Sequence, residues 1–381
     1  MKITRTFLPL WLILLLTIAA CKKETPQKIQ TQPEPETETE INNESRLIFE
    51  NATLEQANAQ GQTLWQIAAE KAVYSKNKKT AHLENLTGNI FQDGELVLQI
   101  KAKIGEINRD GEEVFLKEEI MATDPRNGAV LTGDEVEWRP EENVLIMREN
   151  ITGSHQKLAA SATEGRYYSK EERLELIGNI VATVFEPKVQ LKTEHLIWEI
   201  QPEKVIADRP LNIVRYKEDN TISDQVLAEK GEVYLAGTRA ILKQNVELKS
   251  LDPAVQIATN LLIWNYGSRL VNADEPVQIV DQEAQLTVTG NKGKLDLEKQ
   301  IAHLSAGVKG ISTKNQAKLY SDELIWNMNT QIVEAVGNVI YSQVDPQLNL
   351  TGVKAVGKLQ DNSVVVTGNN TKRVITVIND Q

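Results

Sequence analysis

One cysteine, four histidines and five phenylalanines in 381 residues leave little material for reactive or metal-binding chemistry. A disulfide framework, a Cys-rich zinc site and a dithiol redox pair each need at least two thiols, so the lone Cys21 excludes them within the chain. His82, His155, His195 and His303 lie far apart, and none stands at metal-ligand spacing with carboxylates. Positive charge is also short: 42 Lys+Arg against 53 Asp+Glu give a formal charge of −11, which offers no electrostatic basis for binding nucleic-acid phosphates. There is no HExxH, no phosphate-cradling glycine loop and no nucleophile motif. Carboxylates are plentiful, but a strand protein with 53 of them offers many accidental pairs, so they do not argue for a glycosidase. The chain therefore reads as a non-enzyme with no cofactor and no metal. With 41% hydrophobic and 25% charged residues it has the composition of one large or two modest globular domains.

The N-terminus carries the one extended uncharged run. Lys2 and Arg5 precede Phe7 to Ala20, FLPLWLILLLTIAA. A bilayer span needs roughly 20 apolar residues, so this stretch suits the core of a signal peptide better than a transmembrane helix. It ends Ile18-Ala19-Ala20-Cys21, and small residues directly before a cysteine resemble the bacterial lipobox, in which the thiol is acylated and becomes the new N-terminus. An ordinary secretory signal and an uncleaved anchor are the alternatives. Cleavage before Cys21 would remove Lys2 and Arg5 and bring the formal charge from −11 to −13. Roughly two acyl chains suffice for stable membrane anchoring. Residues 22–45, KKETPQKIQTQPEPETETEINNES, hold three prolines and too little apolar surface to offset ordering entropy. They read as a disordered acidic tether, able to reach about 75 Å at about 3.1 Å per residue.

From Arg46 onward, short period-two runs such as Val189-Gln-Leu-Lys and Val255-Gln-Ile-Ala-Thr alternate with turn signals at Asp93-Gly94, Asp110-Gly111, Asn127-Gly128 and Tyr266-Gly267. That is the pattern of half-buried strands, and the body is expected to be all-β. It is also a repeat. Leu196-Ile-Trp198, Leu262-Ile-Trp264 and Leu324-Ile-Trp326, with Val136-Glu-Trp138 as a weaker copy, place tryptophans 60, 66 and 62 residues apart. Degenerate copies between them complete a ladder of anchors: Tyr74, Ile107, Trp138, Tyr167, Trp198, Val233, Trp264, Leu295, Trp326 and Leu359, about 31 residues per step. Seven before most anchors lies an apolar residue, five before a small one, and thirteen after an aliphatic one, with Thr87 the exception. Two before the anchor, glycine (Gly105, Gly165, Gly231, Gly293, Gly357) alternates with Val136, Leu196, Leu262 and Leu324, so the structural period is a pair of units. Apolar parity flips inside each unit, as Val189 and Leu191 against Leu196 and Trp198 show. A strand can do this only by bulging or breaking, so the expectation is long antiparallel strands folded over into two facing sheets. Asn-x-Ser/Thr tripeptides at Asn43, Asn51, Asn85 and Asn150 carry no weight as glycosylation sites.

Trp65-Gln-Ile-Ala-Ala69 with Ala72-Val-Tyr74, Leu83 and Leu86, then Leu98-Gln-Ile-Lys-Ala102 with Gly105, then Leu131-Thr-Gly133 with Trp138, resemble the LptC family over roughly residues 47 to 200. Gly88-Asn89-Ile90, Gly178-Asn179-Ile180 and Gly337-Asn338-Val339 resemble the related LptA/OstA-type units. The resemblance implies an elongated, slit-like antiparallel β-jellyroll that holds lipopolysaccharide acyl chains, receives them from an inner-membrane Lpt ABC transporter and passes them to an LptA-like periplasmic bridge or outer-membrane Lpt assembly. It also implies a periplasmic location at the inner membrane, held by a lipid anchor at Cys21 if the lipobox is used, with the outer membrane as the alternative. Two departures stand out: a lipobox in place of the family's transmembrane helix, and about twice the usual repeat length.

The domain reading is a signal peptide over 1–20, the tether over 22–45, an LptC-like jellyroll over 46–215 and a second LptA/OstA-like stack over 216–378, continuous with the first. Recurrent Ala, Gly, Thr and Ser at inward positions suggest a groove of reduced side-chain volume, where acyl chains would gain about 0.8 kcal/mol per methylene buried. The candidate lining is Ile67, Ala69, Ile100, Ala102, Leu131, Trp138, Leu191, Trp198, Ile257, Trp264, Leu319 and Trp326. The competing reading is a structural β-solenoid envelope lipoprotein whose same residues fill a dry core and whose edge serves as a protein-interaction scaffold.

Overall fold

In the computed structural model, residues 47–58, 60–108, 113–345, 347–368 and 374–377 are described. Cys21, the signal segment and the tether lie outside them. Ten long strands come first: β1 (Leu47–Ala57), β2 (Thr63–Tyr74), β3 (Ala81–Gln92), β4 (Glu95–Asn108), β5 (Glu113–Thr123), β6 (Val130–Arg139), β7 (Val144–Ser154), β8 (Leu158–Tyr168), β9 (Arg173–Val184) and β10 (Val189–Glu199). Next come β11 (Lys204–Ala207), β12 (Leu211–Tyr216), β13 (Ile222–Ala228) and β14 (Lys230–Tyr234), two rungs each broken in the middle. β15 (Arg239–Leu251) and β16 (Ala254–Asn265) are again continuous. β17 (Leu270–Ala273), β18 (Val277–Asp281), β19 (Leu286–Gly290) and β20 (Lys292–Asp296) form two more broken rungs. β21 (Ile301–Ser312), β22 (Ala317–Asn327), β23 (Ile332–Gln343), β24 (Leu348–Lys358), β25 (Ser363–Thr367) and β26 (Ile375–Val377) complete the chain. The described residues contain no helix, and the expected all-β class is what the structure has.

All pairings are antiparallel, and they join the strands into one sheet. The ladder forks wherever a rung is broken. Val189–Lys192 of β10 pairs with β12, while Ile197–Glu199 of the same strand pairs with β11. β16 forks in the same way onto β17 and β18. One strand thus contributes to two walls. The first wall holds the N-terminal halves of β4, β6, β8, β10, β16, β22 and β24 with β12, β13, β18 and β19; the second holds their C-terminal halves with β11, β14, β17 and β20.

The fold-over between walls has a specific chemistry. In β5 the residues Glu118 and Glu119 have φ of 62° and 50°, and the same left-handed pair recurs at Glu149-Asn150, Gly178-Asn179, Gln244-Asn245, Ala306-Gly307 and Gly337-Asn338. Two consecutive left-handed residues turn the strand and insert one extra residue. Lys101 and Ile104 of β4, with two residues between them, face Met121 and Lys117 of β5, with three between them. The insertion is what flips the buried parity. Asparagine and glycine suit these corners because they tolerate positive φ, which explains why Asn51, Asn85 and Asn150 of the Asn-x-Thr tripeptides all have φ near 50°. The three Gly-Asn-Ile/Val tripeptides are not equivalent: Gly88-Asn89-Ile90 is plain extended strand opposite Ile67 to Trp65, and the corner of β3 is Asn85. Gly178-Asn179 and Gly337-Asn338 are true corners.

The alternating glycines have a packing cause. A Cβ on Gly231 would come within 3.1 Å of Leu211 Cδ1, and one on Gly293 within 2.8 Å of Val277 Cγ1, side chains reaching across from the first wall. Gly165 likewise faces Ile151, and Gly105 would meet Leu86 Cδ2 at 2.6 Å. Except for Leu86, these are the aliphatics thirteen after an anchor. Leu86 is twelve after Tyr74, because the corner of β3 has one left-handed residue instead of two; Thr87 is therefore no real exception. The space left by glycine is filled by the facing wall, so the expected groove of reduced volume does not exist at these levels. Residues 45–381 group as a single unit, and one buried cluster runs from Trp65 to Val333.

Candidate functional site

Each sequence-selected residue faces this interior. Ile67, Ala69, Ile100, Ala102, Leu131, Trp138, Leu191, Trp198, Ile257, Trp264 and Trp326 are buried, and Leu319 is partly buried against the same core. They do not line one continuous channel. Around Trp264 and Ile257 the packing is closed, with Trp264 fully buried beside Tyr266 at a ring-centroid distance of 6.0 Å. Three small, mainly apolar cavities border the other selected residues, apart from two larger, more polar hollows at Gln225–Val280 and at the Arg215–Arg269 loops. Leu131 and Trp198 line a cavity of about 40 Å³ with Leu98, Leu158 and Val205. Leu191 borders one of about 30 Å³ that Tyr266 closes. Leu319 lines the largest of the three, about 80 Å³, between Leu286 and Val288 of the first wall and Leu324, Val333 and Ala355 of the second; Lys314, Lys318 and Lys358 also line it, and all three are exposed.

Opposite the corners, the hairpin loops of the two walls meet along a seam, and this is what sequence reasoning missed. Asp124 of the first wall accepts from Tyr167 Oη of the second at 2.7 Å and from Arg126 Nη2 at 2.7 Å, and Arg126 continues to Glu172. Burial pushes the Asp124 carboxyl up, but the hydrogen bonds from Arg126 and Tyr167 outweigh it and hold it below the usual range. Lys157 pairs with Glu203 across the same seam. Further along, Arg269 of the second wall binds fully buried Asp224 of the first through Nε at 3.2 Å and Nη2 at 3.0 Å. It also donates to Ser250 Oγ at 3.2 Å. Arg215 joins the group, with Nη1 at 3.8 Å from Asp224, while its Nε donates to the Tyr266 carbonyl at 2.8 Å. Burial lowers the pKa of Arg215; burial also acts downward on Arg269, but its bonds to Asp224 reverse the sign. Gln300 to Asp252 is the next crossing. Beyond it the loop side chains bond within their own wall, Thr313 to Gln285, Gln343 to Asp345 and Lys358 to Asp361. The cavity of about 80 Å³ lies beside this stretch. No spacing in the sequence marks Asp224, Arg269 or Asp124, since each is an isolated charge brought to the seam by the fold.

The anchors carry a second feature. The indole N–H groups of Trp138, Trp198, Trp264 and Trp326 are buried without a hydrogen-bond partner, as is the Tyr266 hydroxyl, whose pKa burial pushes up to about 12. Leaving such a group unsatisfied costs about 1–3 kcal/mol. Trp65, off the anchor position, does have a partner, donating to Gln56 Oε1 at 2.6 Å.

Among the described residues no cluster of three or more His, Cys, Asp or Glu could hold a metal ion, and no helix is long and apolar enough to cross a membrane. No curated protein matches the chain. A family model described as "Lipopolysaccharide-assembly, LptC-related" matches residues 10–145 and 211–313. The first segment starts inside the N-terminal apolar run, and the second extends the likeness well past residue 200, into the part read from sequence as a generic stack. With more than half of its length matched, and with a continuous antiparallel sheet folded into two walls, the chain belongs to the LptC-related family of lipopolysaccharide-assembly proteins.

Proposed function

We propose that the protein carries a lipopolysaccharide-type glycolipid with its acyl chains between the two walls and its headgroup outside the seam. The observation that carries this reading is the C-terminal cavity: apolar within, bordered by Lys314, Lys318 and Lys358, and placed where the described loop residues bond within their own wall. Apolar walls suit acyl chains, and exposed lysines suit an anionic headgroup. At about 80 Å³ the cavity is far smaller than the roughly 300–1,000 Å³ of pockets that enclose a ligand. Loading therefore requires the walls to part, and beside this cavity no side-chain bond between the described loop residues crosses the seam to oppose it. Leu319 is the primary contact in this reading. Leu131, Leu191 and Trp198, bordering the two smaller cavities, and Trp326, next to the C-terminal one through Leu324, come next; Ile67, Ala69, Ile100, Ala102, Trp138, Ile257 and Trp264 act as packed support.

In the same reading, Cys21 is lipidated and tethers the body by residues 22–45 to the periplasmic face of the inner membrane. The glycolipid comes from the inner-membrane Lpt ABC transporter and leaves to an LptA-like bridge or outer-membrane Lpt assembly by edge contact. The unpaired sides of β1 and of β25 and β26 support this, with Ile48 59%, Val365 62% and Ile375 61% exposed.

The test is in-cell photo-crosslinking from positions 319 and 257. Capture of glycolipid at Leu319, with little or none at Ile257, is expected. Lipid-free protein on extraction, with no capture at either position, refutes the reading in favour of a dry scaffold.

A further inference from the structure

The tryptophan ladder says something about the chemistry of the occupant. Trp138, Trp198, Trp264 and Trp326 stand in β6, β10, β16 and β22, all in the second wall. Between successive members lie three strands of that wall: β7, β8 and β9; then β11, β14 and β15; then β17, β20 and β21. At about 4.8 Å per strand the indoles are about 19 Å apart along the stack. Each is buried and each has an unpartnered Nε1–H. The protein partners an indole elsewhere, at Trp65, so the omission belongs to the anchor position.

An indole N–H only donates. A hydrocarbon chain has nothing to accept it. A water would need roughly two to four polar partners of its own, and the side chains lining the cavity beside Trp198 are, apart from Asp124, Ser154 and Tyr167, without polar atoms. The fitting occupant is a lipid whose apolar part carries oxygen acceptors. Resting on the lipid-carrier reading above, we propose that the two anchor indoles next to open volume, Trp198 and Trp326, are hydrogen-bond donors for the ester, amide or hydroxyl oxygens of acyl groups held between the walls, so that the interior selects oxygen-bearing acyl lipids over hydrocarbon of equal length. Trp198 bounds an existing cavity, and the Trp326 wall leads to the C-terminal one through Leu324.

The experiment uses the full chain labelled with ¹⁵N at tryptophan in detergent micelles, with the indole resonances assigned by single Trp→Phe variants. Monomyristoylglycerol, an ester, is compared with tetradecane. The ester is expected to move the Trp198 and Trp326 indole resonances downfield and to be retained about tenfold better, the order of one hydrogen bond's net contribution. Trp198→Phe with Trp326→Phe should abolish that preference while tetradecane retention stays. Equal retention of both probes with unmoved indole signals overturns the donor ladder but leaves the carrier reading intact, and so do water contacts at the indoles that persist with the ester bound. Retention of neither probe overturns both. The wild-type resonances give the answer even if the double variant does not fold.

Discussion

Removing single members of the Asp224 group should give unequal costs, and the order follows from the geometry. Asp224 is fully buried and, among the described residues, is the carboxylate ion-paired with both Arg215 and Arg269; Glu298, which pairs with Arg269 and also acts on Arg215, is exposed. Breaking a buried pair by deleting one partner typically costs about 3–5 kcal/mol. Asp224→Ala leaves two neighbouring guanidinium groups unneutralised and belongs at the top, about 5 kcal/mol. Arg269→Ala leaves Asp224 with Ser223 at 2.8 Å and Arg215 at 3.8 Å, so about 3 kcal/mol is expected. Arg215→Ala loses chiefly its bonds to the Tyr266 carbonyl and Ser223, about 1–2 kcal/mol. The double variant Asp224→Leu with Arg269→Met replaces charges by apolar volume and should cost less than either single deletion, because neither leaves an orphan charge. Urea unfolding followed by tryptophan fluorescence and far-UV circular dichroism measures this; two probes are needed because repeat arrays can unfold in sections. Strictly additive costs, or Asp224→Ala below about 1 kcal/mol, would refute a buried latch.

Gly231→Val places a Cβ 2.9 Å from Leu242 and should destabilise by about 1–3 kcal/mol in thermal unfolding. Gly357→Val, where a Cβ meets nothing closer than 3.7 Å, should spare stability and reduce lipid retention by filling the C-terminal cavity. Gly178→Ala forces a left-handed alanine near Thr163 and should cost about 1–2 kcal/mol, whereas Gly88→Ala in the look-alike tripeptide, where φ is not left-handed and the Cβ would meet Ile67 at 3.4 Å, should cost less in urea unfolding. His195 lies between Glu175 at 2.9 Å and Asp208 at 2.7 Å. Burial works against its protonation, but both carboxylate bonds outweigh that and raise its pKa above 6.5. Its contribution is complete below pH 6.5 and is lost as pH rises through the higher folded value. Glu175 and Asp208 are depressed from 4.5 and 3.8, so theirs fades only as pH falls below those values. The stability lost in His195→Gln should thus be greatest between about pH 4.5 and 6.5, about 0.5–1 kcal/mol for this partly exposed site, and should shrink at alkaline pH. Deleting residues from Val364 onward should weaken partner capture in pull-downs more than lipid retention; equal loss would count against edge docking.

Strand content, anchor positions and the fold-over were legible because each rests on local rules: alternation, turn residues and a parity flip repeated unit after unit. The meaning of the glycine alternation was not. Gly231 is small because Leu211, twenty residues earlier and in the other wall, occupies its space, and a linear pattern shows the vacancy without showing the tenant. The corners were half legible, since Gly178-Asn179 announces one while Glu118-Glu119 performs the same turn with residues that do not. Gly88-Asn89 announces one that is absent. The seam was not legible at all: Asp224 and Arg269 are 45 residues apart, and only the hairpin lengths between them bring them to one place. For the interior, sequence identified which residues face inward but not which of them retain free space, because burial follows from alternation and cavities follow from the fit of two walls.

The broken rungs have a mechanical consequence. At β11/β12, β13/β14, β17/β18 and β19/β20 the two walls are joined at their folded side by short loops, at Asp208–Pro210, Glu229, Asp274–Pro276 and Asn291, instead of by unbroken strand. These are the rungs that flank the Arg269–Asp224 pair on the opposite side. The molecule is a book whose spine is jointed where its clasp is strongest and stiff where its pages are unfastened. Releasing the clasp would let the central walls swing about those joints, whereas opening at the C-terminal end must bend continuous strands.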